Sequence, residues 1–74
     1  MEYPIAKKFR SGALKKPEVN TEEFMRDGNV FALLAHCRRA LRRMPAAYNE
    51  LWERVQQGDY DQALAAMMDY IELV

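Results

Sequence analysis

Three apolar stripes at helical spacing follow one another between Val30 and Val74, and no single helix can bury its own stripe. The first comprises Val30, Leu34, Cys37, Leu41 and Met44, at offsets 0, 4, 7, 11 and 14, widened by Phe31 and Leu33. That recurrence sets one face of an amphipathic helix over about 29–44. Asp27-Gly28-Asn29 before it is turn chemistry, and Asn29 or Asp27 caps the helix by accepting bonds from its free N–H groups. Pro45 ends this helix, because its ring blocks the turn and it has no N–H, and it suits the first position of the next. The second helix is expected over about 45–57, burying Tyr48, Leu51, Trp52 and Val55, with Gly58 as a left-handed terminator. The third opens on Asp59-Tyr60-Asp61-Gln62, the spacing of a capping box with Asp in place of the usual Ser or Thr. It carries Tyr60, Leu64, Met67, Ile71 and Val74, with Ala63 and Met68 beside them, over about 59–71. The expected fold is mainly α, a compact three-helix bundle.

The flanks are less regular. Residues 1–17 show no sustained period of 3.6 or 2 and read as a basic, flexible arm preceding a single helical domain over 18–74. Between Glu18 and Arg26, Val19, Phe24 and Met25 fit a short strand, and Thr21–Met25 fit one helical turn. The tail Tyr70–Val74 is β-branched enough to leave the helix as a strand. Its natural partner would then be the 18–26 stretch, making a two-stranded ribbon.

Seventy-four residues make one domain at most, burying only about 60% of the surface exposed on unfolding. A deep catalytic cleft has little room in so thin a core. The single cysteine, Cys37, rules out an internal disulfide and a Cys-rich zinc site, which points to a reducing, cytoplasmic setting. No apolar run approaches a membrane span, and Lys7, Lys8 and Arg10 interrupt anything resembling a signal peptide.

Formal net charge is zero, yet residues 1–44 hold ten Lys/Arg against five Asp/Glu, and residues 45–74 hold Arg54 against six acids. The halves are either complementary to one another or mark a surface for an external anion. The positive half concentrates in Arg38-Arg39-Ala40-Leu41-Arg42-Arg43. On a continuous helix 38/42 and 39/43 are neighbours, so the guanidiniums repel and require a counter-charge. Phosphates would serve, as would an acidic partner, the acidic second half or the helix C-terminus. A helix-turn-helix reader is disfavoured, because the second helix carries Glu50, Glu53 and Arg54.

Other chemistry has little support. Cys37 on its stripe reads as a buried, inert thiol. His36 lies off that stripe and reads as a surface residue, and nothing in the sequence fixes the acid partner that general-base work would need. Asp59 and Asp61 read as helix-start residues, lacking the further oxygen ligands of a calcium loop. The aromatic residues sit at core spacing. No phosphate loop, zinc spacing or Ser/His/Asp set is present, so neither an enzyme nor a cofactor or metal is expected. Gly58–Leu64 looks like the second half of a tetratricopeptide repeat, but a lone repeat cannot bury its faces.

Lys16-Pro17-x-Val19, Asp27-Gly28-Asn29-Val30-Phe31-x-Leu33-Leu34, Arg38-x-Ala40-Leu41-Arg42-Arg43, Gly58-Asp59-Tyr60-Asp61-x-x-Leu64 and Tyr70-Ile71-Glu72 occur in that order. The pattern resembles a family of small uncharacterised bacterial proteins, some carried by phages or mobile elements. The resemblance implies a shared fold and no particular activity. The expected function is a non-enzymatic binding module for a protein partner or a second copy, using an exposed edge at Phe31 and Leu33 or at Met67 and Met68. The alternative is a nucleic-acid accessory protein using Arg38, Arg39, Arg42 and Arg43 with Lys7, Lys8 and Arg10. A third reading, inhibition of a host enzyme, rests only on the mobile-element association.

Overall fold

A computed structural model describes residues 3–26 and 28–74. Pro4–Ser11 form α1, Glu18–Val19 β1, Thr21–Arg26 α2, Val30–Ala40 α3, Pro45–Gln56 α4, Tyr60–Met68 α5 and Glu72–Leu73 β2. The described residues are mainly helical and form five helices, the expected three and two more before them.

The three expected helices start where their signals place them. Asn29 accepts from Phe31 N at 2.8 Å and caps α3, while Asp27, the alternative cap, lies outside the described residues. Pro45 is the first residue of α4. Asp59 accepts from Gln62 N at 2.9 Å and the Gln62 amide oxygen accepts from Asp59 N at 3.1 Å, a complete capping box for α5.

Three of the ends differ from expectation. Helix α5 stops at Met68 rather than near 71, because Tyr70 and Ile71 turn into the core before β2. Helix α3 stops at Ala40, with Leu41 bonding Cys37 O and Arg42 bonding Arg39 O through a tightening turn. Gly58 is not in a left-handed conformation; among the described residues only Gly12, which terminates α1, has positive φ, at 86°. Gly58 instead leaves room for a neighbour, because a Cβ there would collide with the Gln62 side chain that closes the capping box.

Residues 4–11 are no arm. Ala6 and Phe9 are buried, and the Phe9 ring meets Tyr70 edge-on at 6.1 Å. Tyr3 supplies no cap, so the first free N–H groups of α1 find a distant acceptor: Ile5 N and Ala6 N donate to the Glu50 carboxylate at 3.1 and 3.0 Å. Lys16 adds a clamp, donating from Nζ to Met68 O at the end of α5.

The 18–26 stretch is a strand only at its start, and Phe24 and Met25, which also fitted a strand, belong to a helix. Glu18–Val19 pairs with Glu72–Leu73 as a parallel ribbon, and α2 then buries Phe24.

The core is formed by Phe9, Phe24, Leu33, Leu34, Cys37, Leu41, Leu51, Met67, Tyr70 and Ile71, with buried alanines at 6, 47, 63 and 66. Helices α4 and α5 make the most extensive helix–helix contact. Ala47 on α4 and Ala63 and Ala66 on α5 are buried, so small side chains occupy part of the inward face of both helices. Trp52 is 39% exposed and Tyr60 45%, although both were expected inside.

Candidate functional site

The arginine cluster sits where α3 gives way to α4. Arg38 and Arg39 occupy the last turn of α3, where positive charge complements the carbonyl end of the helix. Because the helix stops at Ala40, Arg42 and Arg43 belong to the turn leading to Pro45. The four guanidiniums are therefore not stacked as one helical array. Arg38 and Arg42 line a groove of about 360 Å³ with Leu41, Pro45, Tyr48 and Asn49. Arg39 turns to a separate groove, beside Glu18, Glu23 and His36. Arg43 is exposed and lines neither.

Among the described residues, none of these four arginines makes an ion pair or side-chain hydrogen bond. Several acids that might have neutralised them are engaged elsewhere. Glu50 holds α1, Asp59 caps α5, and Asp69 pairs with Arg54 at 2.8 Å. Complementarity between the two halves thus does not extend to this cluster. Lys7, Lys8 and Arg10 are exposed on α1, and none lines the Arg38–Arg42 groove.

Helices α3 and α4 run antiparallel, with Arg38 beside Tyr48 at one end of their seam and Val30 beside Val55 at the other. The second end forms a smaller groove of about 160 Å³ that includes Tyr60, whose hydroxyl donates to Gly28 O at 2.8 Å. Phe31, 68% exposed, stands seven positions before Arg38 and so shares its side of α3. Trp52 lies one turn beyond Tyr48 on α4. The seam therefore joins guanidinium and aromatic surface. Two of the expected contact residues do not belong to any such surface: Leu33 is 2% exposed and Met67 fully buried, because both point into the α3–α5 core. Phe31 stays exposed and Met68 is half-buried.

The densest polar network was not foreseen. The Tyr70 hydroxyl donates to Glu50 Oε2 at 2.6 Å and accepts from Arg54 at 3.4 Å. The Arg54 guanidinium lies 4.5 Å from the Tyr3 ring centroid and 5.5 Å from that of Tyr70. Burial pushes the Tyr70 phenol well above its ordinary range, and the Glu50 bond adds to this against the opposing pull of Arg54. Desolvation works against the Arg54 charge, but its bonds to Tyr70 and Asp69 outweigh it, so its pKa is raised. Every group in the network is partnered, which suits holding α1 in place rather than acid–base work. The available signal was Glu50 among the apolar residues of α4, but its partners lie twenty positions away at Tyr70 and more than forty away at Ile5 and Ala6.

Cys37 is fully buried and burial raises its thiol to about 12, leaving no thiolate at neutral pH. His36 is half-buried rather than a plain surface residue, its ring 6.1 Å from that of Phe24. Among the described residues no group of three His, Cys, Asp or Glu is placed to hold a metal ion, and no helix is long and apolar enough to cross a membrane. No family model, curated protein or solved structure matches the chain.

Proposed function

We propose that this chain is a small non-enzymatic binding module that docks a protein partner on the α3–α4 seam. The observation that carries this reading is the meeting, on one seam, of exposed aromatic side chains with guanidiniums that have no acidic side-chain partner among the described residues. Exposed apolar side chains rimmed by charge characterise interaction surfaces, with aromatic residues and arginine their commonest anchors. The test is capture from native cell extract by the tagged chain, compared with a Phe31→Ala/Trp52→Ala variant whose fold is checked by circular dichroism. The reading expects nuclease-resistant capture of protein that the variant loses. Equal capture by both chains would refute it.

A second reading, nucleic-acid binding, is favoured by one observation: the unpaired cations of the cluster are all arginines, whose planar forks suit phosphate. It expects retention of the chain on single- or double-stranded nucleic acid at low salt, lost steeply as salt rises. Absence of retention removes it.

A further inference from the structure

We infer that the groove where α3 meets α4 takes the carboxylates of an acidic amphipathic segment of the partner, with Arg38 and Arg42 as the anion contacts, Tyr48 as the apolar wall and Trp52 as its continuation one turn along α4. This rests on the reading of the seam as a protein-docking surface and specifies the chemistry of the occupant.

The charge of the occupant follows from the unpaired arginines. Arg38 and Arg42 converge on one groove and pair with no acid among the described residues, and a guanidinium receives a carboxylate in a bidentate, charge-assisted pair. Its amphipathic character follows from the walls. Tyr48 is half-buried on the groove, and Trp52 continues the same side of α4 one turn on. Phe31 extends the apolar surface along the facing side of α3. A segment with acids on one edge and apolar side chains on the other meets both.

The same geometry disfavours a polyanion. The exposed Glu53 lies one turn beyond Asn49 of the groove, so a strand of phosphates continuing along α4 would meet a carboxylate. The lysines of α1 do not extend the groove. Helix α1 meets α4 at Glu50, and two residues from Tyr48 or Trp52 is about 200° round the helix, on its far side. What remains is a short basic patch rather than a track.

Trp52 is the only tryptophan in the chain, so its emission reports directly on the seam. The probe is an acetylated and amidated Glu/Leu amphipathic peptide of about three helical turns, with its Lys/Leu counterpart and an oligothymidylate as comparisons. Saturable change of Trp52 emission is expected with the Glu/Leu peptide alone. Arg38→Glu/Arg42→Glu should weaken that binding at least about tenfold and confer binding of the Lys/Leu peptide. Arg39→Glu, on the other groove, should leave it nearly unchanged. Equal binding of the Glu/Leu peptide by the Arg38→Glu/Arg42→Glu chain overturns the inference, as does tighter binding of oligothymidylate at the same salt, or no response at millimolar peptide. Capture from extract that needs Phe31 and Trp52 but survives Arg38→Glu/Arg42→Glu would sink the carboxylate groove and leave the docking seam standing.

Discussion

The Tyr70 hydroxyl donates to Glu50 Oε2 at 2.6 Å, joining the turn after α5 to the carboxylate that also caps α1. Three segments distant in sequence converge on one side chain. Glu50→Ala would leave two helix N–H groups and a phenol without their acceptor. The expected loss is about 2–4 kcal/mol, from a lost cap and a part-buried unpaired donor. Tyr70→Phe removes only one of these bonds, though from the core, and should cost about 1–2 kcal/mol. Urea denaturation gives both values, and hydrogen exchange at Ile5 and Ala6 localises the first. A Glu50→Ala chain no weaker than Tyr70→Phe, with those amides still protected, would contradict the role of Glu50.

Tyr70 also sets an alkaline limit. Its folded-state pKa is raised by burial and the Glu50 bond, so the folded chain keeps the proton that the unfolded chain releases above about 10. The folded state then binds more protons, and stability falls as pH rises past that value. Below it the contribution is fully present. Urea midpoints across this range should drop more steeply for the native chain than for Tyr70→Phe. Parallel curves would exclude Tyr70 as the source.

Cys37 should ignore thiol reagents in the folded state. With no exposed surface and a thiol raised to about 12, it offers neither access nor thiolate. Ellman's reagent at neutral pH is expected to label it only in denaturant, or at the rate of global unfolding. Immediate stoichiometric labelling would show that the α3 core opens locally. Cys37→Ser, which buries a hydroxyl in place of the thiol, should cost about 1–3 kcal/mol.

Gly58 can be separated from an ordinary turn glycine. Its backbone does not need positive φ, so alanine is not excluded by conformation; it is excluded by the Gln62 side chain. Gly58→Ala should lower stability by about 1 kcal/mol, the worth of the capping box it disrupts. In a Gln62→Ala background the penalty should largely vanish. A penalty of unchanged size there would place its cause elsewhere.

Glu18 and Glu72 are register partners in the parallel ribbon, two exposed carboxylates side by side. Like charges at cross-strand positions oppose pairing. Glu72→Thr is therefore expected to stabilise the chain by a few tenths of a kcal/mol, and more at low ionic strength. Thermal melts at two salt concentrations test this, and a destabilised variant would mean that the carboxylates have an unseen stabilising role.

Local signals were legible where their partners were local. The Asn29 cap, Pro45 at the start of α4 and the Asp59–Gln62 box each involve residues within three positions, and each stands as read. Helix α1 was not legible because its acceptor, Glu50, comes from another helix and its core contribution is only Ala6 and Phe9. The exposure of Trp52 was hidden for a related reason. A stripe read by large apolar side chains gives alanine little weight, whereas Ala47, Ala63 and Ala66 all lie on the buried faces. At the candidate site the arginine cluster was plain in the sequence. Its division into an Arg38–Arg42 groove and a separate Arg39 was not, since it depends on α3 ending one residue before Leu41.

The ribbon has a consequence for the order of events in folding. Strands β1 and β2 run the same way, and helices α2 to α5 all lie between them along the chain. No hairpin can nucleate such a pair; the intervening loop must first be closed by the helices themselves. The bonds from Glu72 N to Pro17 O and from Val74 N to Val19 O therefore act as a clasp fastened late, reporting completion of the fold rather than starting it.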